Sequence, residues 1–238
     1  MRPALRRTLW FLPFIAVSAT HLVALFLGNR PIPHWTKGWL MVTLLAAFIG
    51  SVRWERTPVT RLLPAVLALV AGIGFSWIGD TSLLYDDTTG FLTGLGAFLI
   101  AHLAYVFAFF RLPGSRKPRG WIVLVYLIWF LVLLAVLGPE TQLLLGPVAL
   151  YGLVLALTGI VSSTVNVFAG IGGALFVFSD SILGANRFVP DFPLWQVDFV
   201  IMVGYIGAQL CIVFGAVLAL ARSEFDAAPR VAPDTVVK

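Results

Sequence analysis

The chain has 238 residues, of which 60% are hydrophobic and 11% are charged. An ordinary soluble domain carries about 25% charged residues. With a mean hydropathy of +0.97, the composition excludes a water-soluble globular enzyme, a disordered chain and a collagen-like fibre. The single cysteine, Cys211, excludes an intramolecular disulfide and a thiolate metal cluster. The net charge is +5, but the basic residues lie between apolar stretches, so we expect no nucleic acid partner. The composition predicts an all-α, polytopic membrane protein.

Eight apolar stretches are long enough to cross a bilayer, which takes about 20 mostly apolar residues in a helix. They cover residues 8–27, 38–52, 62–80, 91–110, 120–137, 141–161, 165–183 and 197–221. The second stretch is short, and a span there would use the long side chains of Lys37 and Arg53 to reach the membrane surface at its two ends. We therefore expect one integral membrane domain over residues 1–222. Residues 223–238 carry proline and charge, and we expect a disordered cytoplasmic tail there.

Lysine and arginine are distributed unevenly between the predicted loops, with 13 on one side and three on the other. The larger group consists of Arg2, Arg6, Arg7, Arg53, Arg56, Arg61, Arg111, Arg116, Lys117, Arg119, Arg222, Arg230 and Lys238; the smaller group consists of Arg30, Lys37 and Arg187. Cytoplasmic loops carry the excess of positive charge. The count predicts that both termini are cytoplasmic in a multi-pass protein, in the cell membrane if the chain is bacterial.

The N-terminal stretch has two interpretations. Basic residues followed by an apolar run and residues 16–19 (Ala-Val-Ser-Ala) also fit a cleavable signal peptide, which would leave seven spans. The apolar run continues past that site to Leu27, and this favours a retained first helix.

Two aspartates lie at polar ends of otherwise apolar predicted helices. Asp80 closes the third stretch, and Asp180 falls at the same predicted depth in the seventh. An ionisable side chain within a bilayer is costly unless it is paired, so it is a candidate functional residue. Two carboxyls at matched depth predict a functional pair.

Further polar side chains lie on the faces of the fourth and eighth predicted helices. His102 and Tyr105 are one turn apart on the fourth, and Asp198, Tyr205 and Gln209 follow at spacings of seven and four on the eighth. Taken singly, each of these side chains is more often an interhelical hydrogen-bonding or packing residue. We expect His102, Tyr105, Tyr205 and Gln209 to line the polar wall of a pocket around the two aspartates.

The two aspartates also lie in similar local sequences. Residues 75–83 and 175–183 align on Asp80 and Asp180, which are 100 residues apart. This spacing is compatible with two parallel four-helix halves related by an axis along the membrane normal. Chance similarity of two short segments remains an alternative.

These segments resemble the lysoplasmalogenase (YhhN-like) family of eight-helix membrane proteins. The matching pieces, in chain order, are residues 36–37, residues 75–80 with Leu83 and Leu84, Gly94 and residues 101–105, residues 173–174 with 178–180 and Leu183, and Tyr205 with residues 208–210. They touch five of the eight predicted helices. Gly38 stands where the family usually has proline. This difference affects only how the second helix begins.

The resemblance implies hydrolysis of the vinyl-ether bond of lysoplasmalogens, giving a fatty aldehyde and a glycerophospho-head-group product. It implies Asp80 and Asp180 as the catalytic acid and base, because a carboxylic acid can protonate the alkenyl β-carbon while a carboxylate stabilises the cation and activates water. No metal or other cofactor is expected, since His102 has no partner at ligand spacing. The substrate-binding residues would be His102, Tyr105, Tyr205, Gln209, Lys37, Asn186 and Arg187. The expected partners are a lysophospholipid and membrane lipid, and the oligomeric state is open.

Two other classes of function remain open at this point. A transporter or lipid-binding membrane protein would use Asp80 and Asp180 to carry protons or a cation, although Pro13, Pro64 and Pro147 lie near helix ends or in loops, which favours a static pocket. An intramembrane aspartyl protease is weaker, because no Gly-x-Gly-Asp motif precedes Asp80.

Overall fold

The computed structural model describes residues 7–29, 31–52, 59–85 and 87–226. Within these ranges the chain is helical and contains no strand, which confirms the all-α prediction. The helices longer than three turns are α1 (Leu12–Phe26), α2 (Pro31–Ser51), α3 (Val59–Ser82), α4 (Thr88–Arg111), α5 (Gly120–Thr141), α6 (Leu145–Val165), α7 (Val167–Phe188) and α8 (Val197–Asp226).

Six segments of the described chain are long and apolar enough to span a membrane, which makes this a multi-pass membrane protein. They are Arg7–Phe26, Leu62–Ser82, Thr88–Arg111, Gly120–Val165, Val167–Phe188 and Val197–Ser223. The predicted count of eight is not reached by this criterion, for two reasons. The first turns of α2 carry the polar residues His34, Thr36 and Lys37, so this helix is not apolar enough to be counted. The longest segment, Gly120–Val165, combines α5 with α6 and is counted once.

The combined segment is a helical hairpin. A 3-10 turn joins α5 to α6, and Gln142 in it has a φ of +47°, which reverses the chain. A methyl group on Gly152 would lie 3.0 Å from Leu133, and one on Gly159 would lie 2.4 Å from Tyr126. Later residues of α6 thus meet earlier residues of α5, so the two helices are antiparallel.

Several helix boundaries differ from the predicted stretches by four residues or more, and the differences in α2 and α8 bear on the predicted domain bounds. α2 begins at Pro31 rather than at residue 38, and α8 continues to Asp226, so residues 223–226, assigned to the tail from the sequence, form its last turn. Some predictions fall outside the described residues: the rest of the tail, and the basic residues Arg2, Arg6, Arg30, Arg53, Arg56, Arg230 and Lys238.

The packing of the bundle depends on glycines where large side chains cross a neighbouring helix. α3 packs mainly on α4, and α7 packs mainly on α8. A methyl group on Gly72 of α3 would lie 2.4 Å from the ring of Tyr105, and one on Gly79 would lie 2.6 Å from the ring of Phe98. Small residues allow such close approach in membrane bundles. They place these two aromatic side chains of α4 directly against α3, beside Asp80.

Candidate active site

A cavity of about 760 Å³ opens at the end of the bundle where α1 joins α2, α3 joins α4 and α7 joins α8. Both aspartates line it, Asp80 from the end of α3 and Asp180 from the C-terminal half of α7. Lys37 of α2 and Tyr205 of α8 lie in the same wall. The cavity therefore brings together carboxyls that are distant in sequence, together with a cation and a phenol.

Asp80 is the terminal acceptor of a buried hydrogen-bond chain. The hydroxyl of Tyr205 donates to Asp80 Oδ2 at 2.7 Å, Gln209 Nε2 donates to Tyr205 Oη at 3.3 Å, and Tyr105 donates to Gln209 Oε1 at 2.8 Å. Asp80 is 2% exposed, and both Tyr105 and Gln209 are inaccessible to solvent. A buried polar network is stable when its members satisfy one another, and this one fixes the orientation of the Asp80 carboxyl.

Asp180 has different surroundings. The hydroxyl of Tyr151 on α6 donates to Asp180 Oδ2, and His102 Nε2 on α4 lies 3.7 Å from the same oxygen. That distance is too long for a hydrogen bond. Neither ring nitrogen of His102 has a hydrogen-bond partner among the described residues, although the ring is 1% exposed. The His102 ring packs edge-on against Phe176, at 4.7 Å between centroids. A small rotation would bring the imidazole into bonding range of Asp180.

The predicted substrate-binding residues divide into two layers. Tyr205, Lys37, Asn186 and Arg187 line the cavity, with Arg187 exposed at its rim over the ring of Phe91. The prediction that His102, Tyr105 and Gln209 also line the wall differs from the structure, since these three lie behind it. Tyr105 and Gln209 are fully buried and hydrogen-bond each other, and the buried His102 ring packs against the rings of Tyr151 and Phe176.

Sequence reasoning missed two contributors to the site. Tyr151, the donor to Asp180, lies in an apolar stretch, and its only signal is that a buried tyrosine hydroxyl usually needs a partner. His21 of α1 is buried, lines the same cavity and bonds Thr36 Oγ1 of α2 through Nδ1 at 2.8 Å. The described residues contain no group of three or more His, Cys, Asp or Glu side chains arranged to hold a metal ion.

The fold and the cavity define a helical, multi-pass membrane protein that holds two carboxyls in one recess at an end of its bundle. The family model described as the YhhN family matches residues 32–216, and the chain belongs to that family. The resemblance found in the sequence is thereby confirmed.

Several relatives carry the name of an enzyme. Lysoplasmalogenase TMEM86B of Rattus norvegicus is 29% identical over 90% of this chain and 85% of its own length. The protein of the same name from Homo sapiens is 34% identical over 74% of this chain and 72% of its own. A lysoplasmalogenase of Mycobacterium tuberculosis is 28% identical over 85% of this chain and 77% of its own. No solved structure gives a significant match.

Proposed function

We propose that this protein is a lysoplasmalogenase that hydrolyses the vinyl-ether bond of a lysoplasmalogen to a fatty aldehyde and a glycerophospho-head-group product. The observation that carries the proposal is the cavity that contains both Asp80 and Asp180, each held by a tyrosine hydroxyl. The relatives named lysoplasmalogenase support it, because they match most of the chain.

The chemistry of a vinyl ether calls for one acid and one base. The protonated carboxyl transfers its proton to the alkenyl β-carbon, and the ether oxygen and its neighbouring carbon then share a positive charge. The ionised carboxylate stabilises this oxocarbenium ion and takes a proton from the water that adds to it. In the resulting hemiacetal, the first carboxyl, now ionised, takes the hydroxyl proton while the second, now protonated, gives its proton to the glycerol oxygen. The carbon–oxygen bond to glycerol then breaks, the aldehyde leaves, and both carboxyls are back in their starting states.

The tyrosines position the two carboxyls for these transfers. Tyr205 is fixed by Gln209 and Tyr105 behind it, and Tyr151 is held on α6, which packs against α7. Reacting groups held in one geometry by rigid helices need no reorganisation at the moment of reaction. We assign Tyr205 and Tyr151 as positioning residues.

The cations of the cavity suit the substrate's phosphate. Lys37 lies in the wall and Arg187 at the rim, with Asn186 beside it. Charge-assisted hydrogen bonds to phosphate are stronger than neutral ones, so these side chains would hold the head group of a lysophospholipid while its ether bond lies at the carboxyls.

For the membrane arrangement we propose eight spans with both termini cytoplasmic, by treating α5 and α6 as separate spans and including α2. The loop charges support this orientation, and it puts the cavity on the outer side. A reporter fused after Lys238 should then be active only in the cytoplasm. A reporter active only on the outer side would refute the arrangement.

The decisive experiment measures aldehyde release from a lysoplasmalogen by the purified protein in lipid nanodiscs. Asp80→Asn and Asp180→Asn keep the side-chain shape but remove proton transfer, so each should lower kcat by about 10²–10⁴-fold. The matched control is Asp191→Asn, because Asp191 is exposed in the α7–α8 connection, outside the cavity lining, and asparagine tolerates its φ of +49°.

Two outcomes would contradict the proposal. Folded Asp80→Asn and Asp180→Asn proteins with near-normal aldehyde release would exclude the two-carboxyl mechanism. A wild-type protein that releases no aldehyde but moves protons or cations across liposome membranes would be a transporter instead.

A further inference from the structure

A second, much smaller cavity of about 40 Å³ lies beside the first and is almost entirely apolar. It is enclosed by α4, α5, α6 and α7, and its wall includes Leu133, Leu137, Leu155 and Phe188. We call it the apolar groove. Among its few polar groups, Trp129 Nε1 donates to Ser181 Oγ at 3.0 Å, so these two satisfy each other. The apolar groove therefore offers a ligand chiefly hydrocarbon contact.

The apolar groove and the main cavity meet at Asp180. Leu83, Phe91, Phe98 and Leu183 also line both, so the two spaces are neighbours at this point rather than at opposite faces of a helix. The charges are divided unequally between them. Lys37 and Arg187 line only the main cavity, and Asp180 is the one ionisable carboxyl or cation among the described residues of the groove wall.

We propose that the apolar groove is the binding site for the hydrocarbon chain of the substrate, while its phosphate head group occupies the main cavity. This inference rests on the proposed function and adds to it the path of the alkenyl chain. An amphiphile whose two ends follow the two cavities must pass Asp180, and its ether bond lies between those ends. The polar head group would thus lie on one side of the Asp180 carboxyl and the apolar chain on the other, with the ether bond beside it.

The groove is too small for a whole fatty chain, so only the carbons nearest the ether bond lie inside it. The packing of α5 is with α6 and α7 rather than with α4, and this leaves the side between α4 and α5 for the rest of the chain to leave toward the bilayer. Exposed apolar side chains on α5, such as Ile128 and Leu131, give this helix a surface compatible with lipid.

Gly184 gives the most direct way to fill the groove. It lies in the groove wall one turn beyond Asp180 on α7, and a methyl group there would lie 3.0 Å from Leu137 Cδ1. That atom is the end of a flexible side chain, so it can yield to a small substituent. A leucine at this position would occupy the space that we assign to the chain, because Gly184 lines the groove and not the main cavity.

The first test compares Gly184→Leu with wild type on lysoplasmalogens of long and short alkenyl chain, presented as monomers. Each methylene excluded from an apolar site weakens binding by about fourfold. The carbons nearest the ether bond are common to both chains, so we expect KM to rise at least about tenfold for the long and the short chain alike. Gly74→Leu is the control, since Gly74 has open space around it and lines neither cavity. A change of less than about threefold for both chains, a rise confined to one chain length, or a rise that Gly74→Leu reproduces would overturn the groove assignment.

The second test does not depend on turnover or on the variant folding. A lysophospholipid with a saturated ether chain and a diazirine near the ether bond is photo-crosslinked to the wild-type protein in nanodiscs, and labelled peptides are mapped by mass spectrometry. Labels on α5 and the C-terminal half of α7 support the groove, whereas labels confined to α1, α2 and α8 overturn it. Groove labelling without aldehyde release from a lysoplasmalogen would refute the proposed function alone. Aldehyde release without groove labelling would refute this inference alone.

Discussion

Replacing Tyr205 by phenylalanine tests the link between the buried hydrogen-bond chain and catalysis. The change removes one hydroxyl, which donates to Asp80 at 2.7 Å and accepts from Gln209 at 3.3 Å. The ring itself keeps its edge-to-face contacts with Phe176 and Phe98, at 5.7 and 5.8 Å between centroids. The substitution is therefore close to a deletion of two hydrogen bonds.

The expected size follows from the bond to the carboxyl. A hydrogen bond to a charged group contributes about 1.5–3 kcal/mol, and about 1.4 kcal/mol corresponds to a tenfold change in rate. If Tyr205 holds the Asp80 carboxyl in its reactive position, Tyr205→Phe should lower kcat by about 10- to 150-fold. KM should change little, because the head-group cations are untouched.

The assay is steady-state aldehyde release by protein in nanodiscs, with thermal unfolding as the check that the variant is folded. Tyr126→Phe is the matched control, since Tyr126 is also a buried tyrosine but makes no hydrogen bond with the described residues and packs on Gly159 within the α5–α6 hairpin. Removal of the Tyr126 hydroxyl should leave kcat near the wild-type value. A folded Tyr205→Phe protein as active as Tyr126→Phe would refute the reasoning.

Three further changes probe the rest of the site. Tyr151→Phe removes the donor to Asp180 and should lower kcat by about tenfold or more; unchanged kcat in single-turnover assays would show that this contact is only structural. Gly72→Ala places a methyl group 2.4 Å from the buried ring of Tyr105, so it should destabilise the protein by about 1–3 kcal/mol in thermal unfolding, and an unchanged transition would contradict the packing described here. Lys37→Met should raise KM about tenfold with kcat preserved if the side chain holds phosphate, and a fall in kcat alone would exclude that role.

The sequence was sufficient to single out the two carboxyls that line the cavity. Asp80 and Asp180 stand out because an aspartate within an apolar stretch has no inexpensive structural explanation. The predicted depth of each, counted along its helix, also agrees with their common position in the cavity wall. The all-α membrane fold class followed from the composition and from the length of the apolar stretches.

Other features depend on which helices are neighbours, and the periodicity of a sequence does not show which helices pack together. A helical face shows that Tyr105 and Gln209 point inward, but only the folded bundle shows that these two side chains, from α4 and α8, bond each other and not the substrate. The tyrosine that holds Asp180 is carried by α6, whose contact with α7 was not predictable from the apolar stretch. For the same reason, the leucines that line the apolar groove cannot be told from lipid-facing leucines in the sequence.

The unequal surroundings of the two carboxyls bear on how one site can supply both an acid and a base. The repeat suggested by the sequence pairs Asp80 with Asp180, and the same offset of 100 residues pairs Tyr105 with Tyr205. Under strict symmetry each tyrosine would serve one aspartate, yet Tyr105 bonds Gln209 while Tyr151 serves Asp180. Two carboxyls with identical partners would be equivalent, whereas an acid/base pair needs two carboxyls in different environments. The different hydrogen-bond partners of Asp80 and Asp180 therefore make this pair suited to proton transfer in two directions.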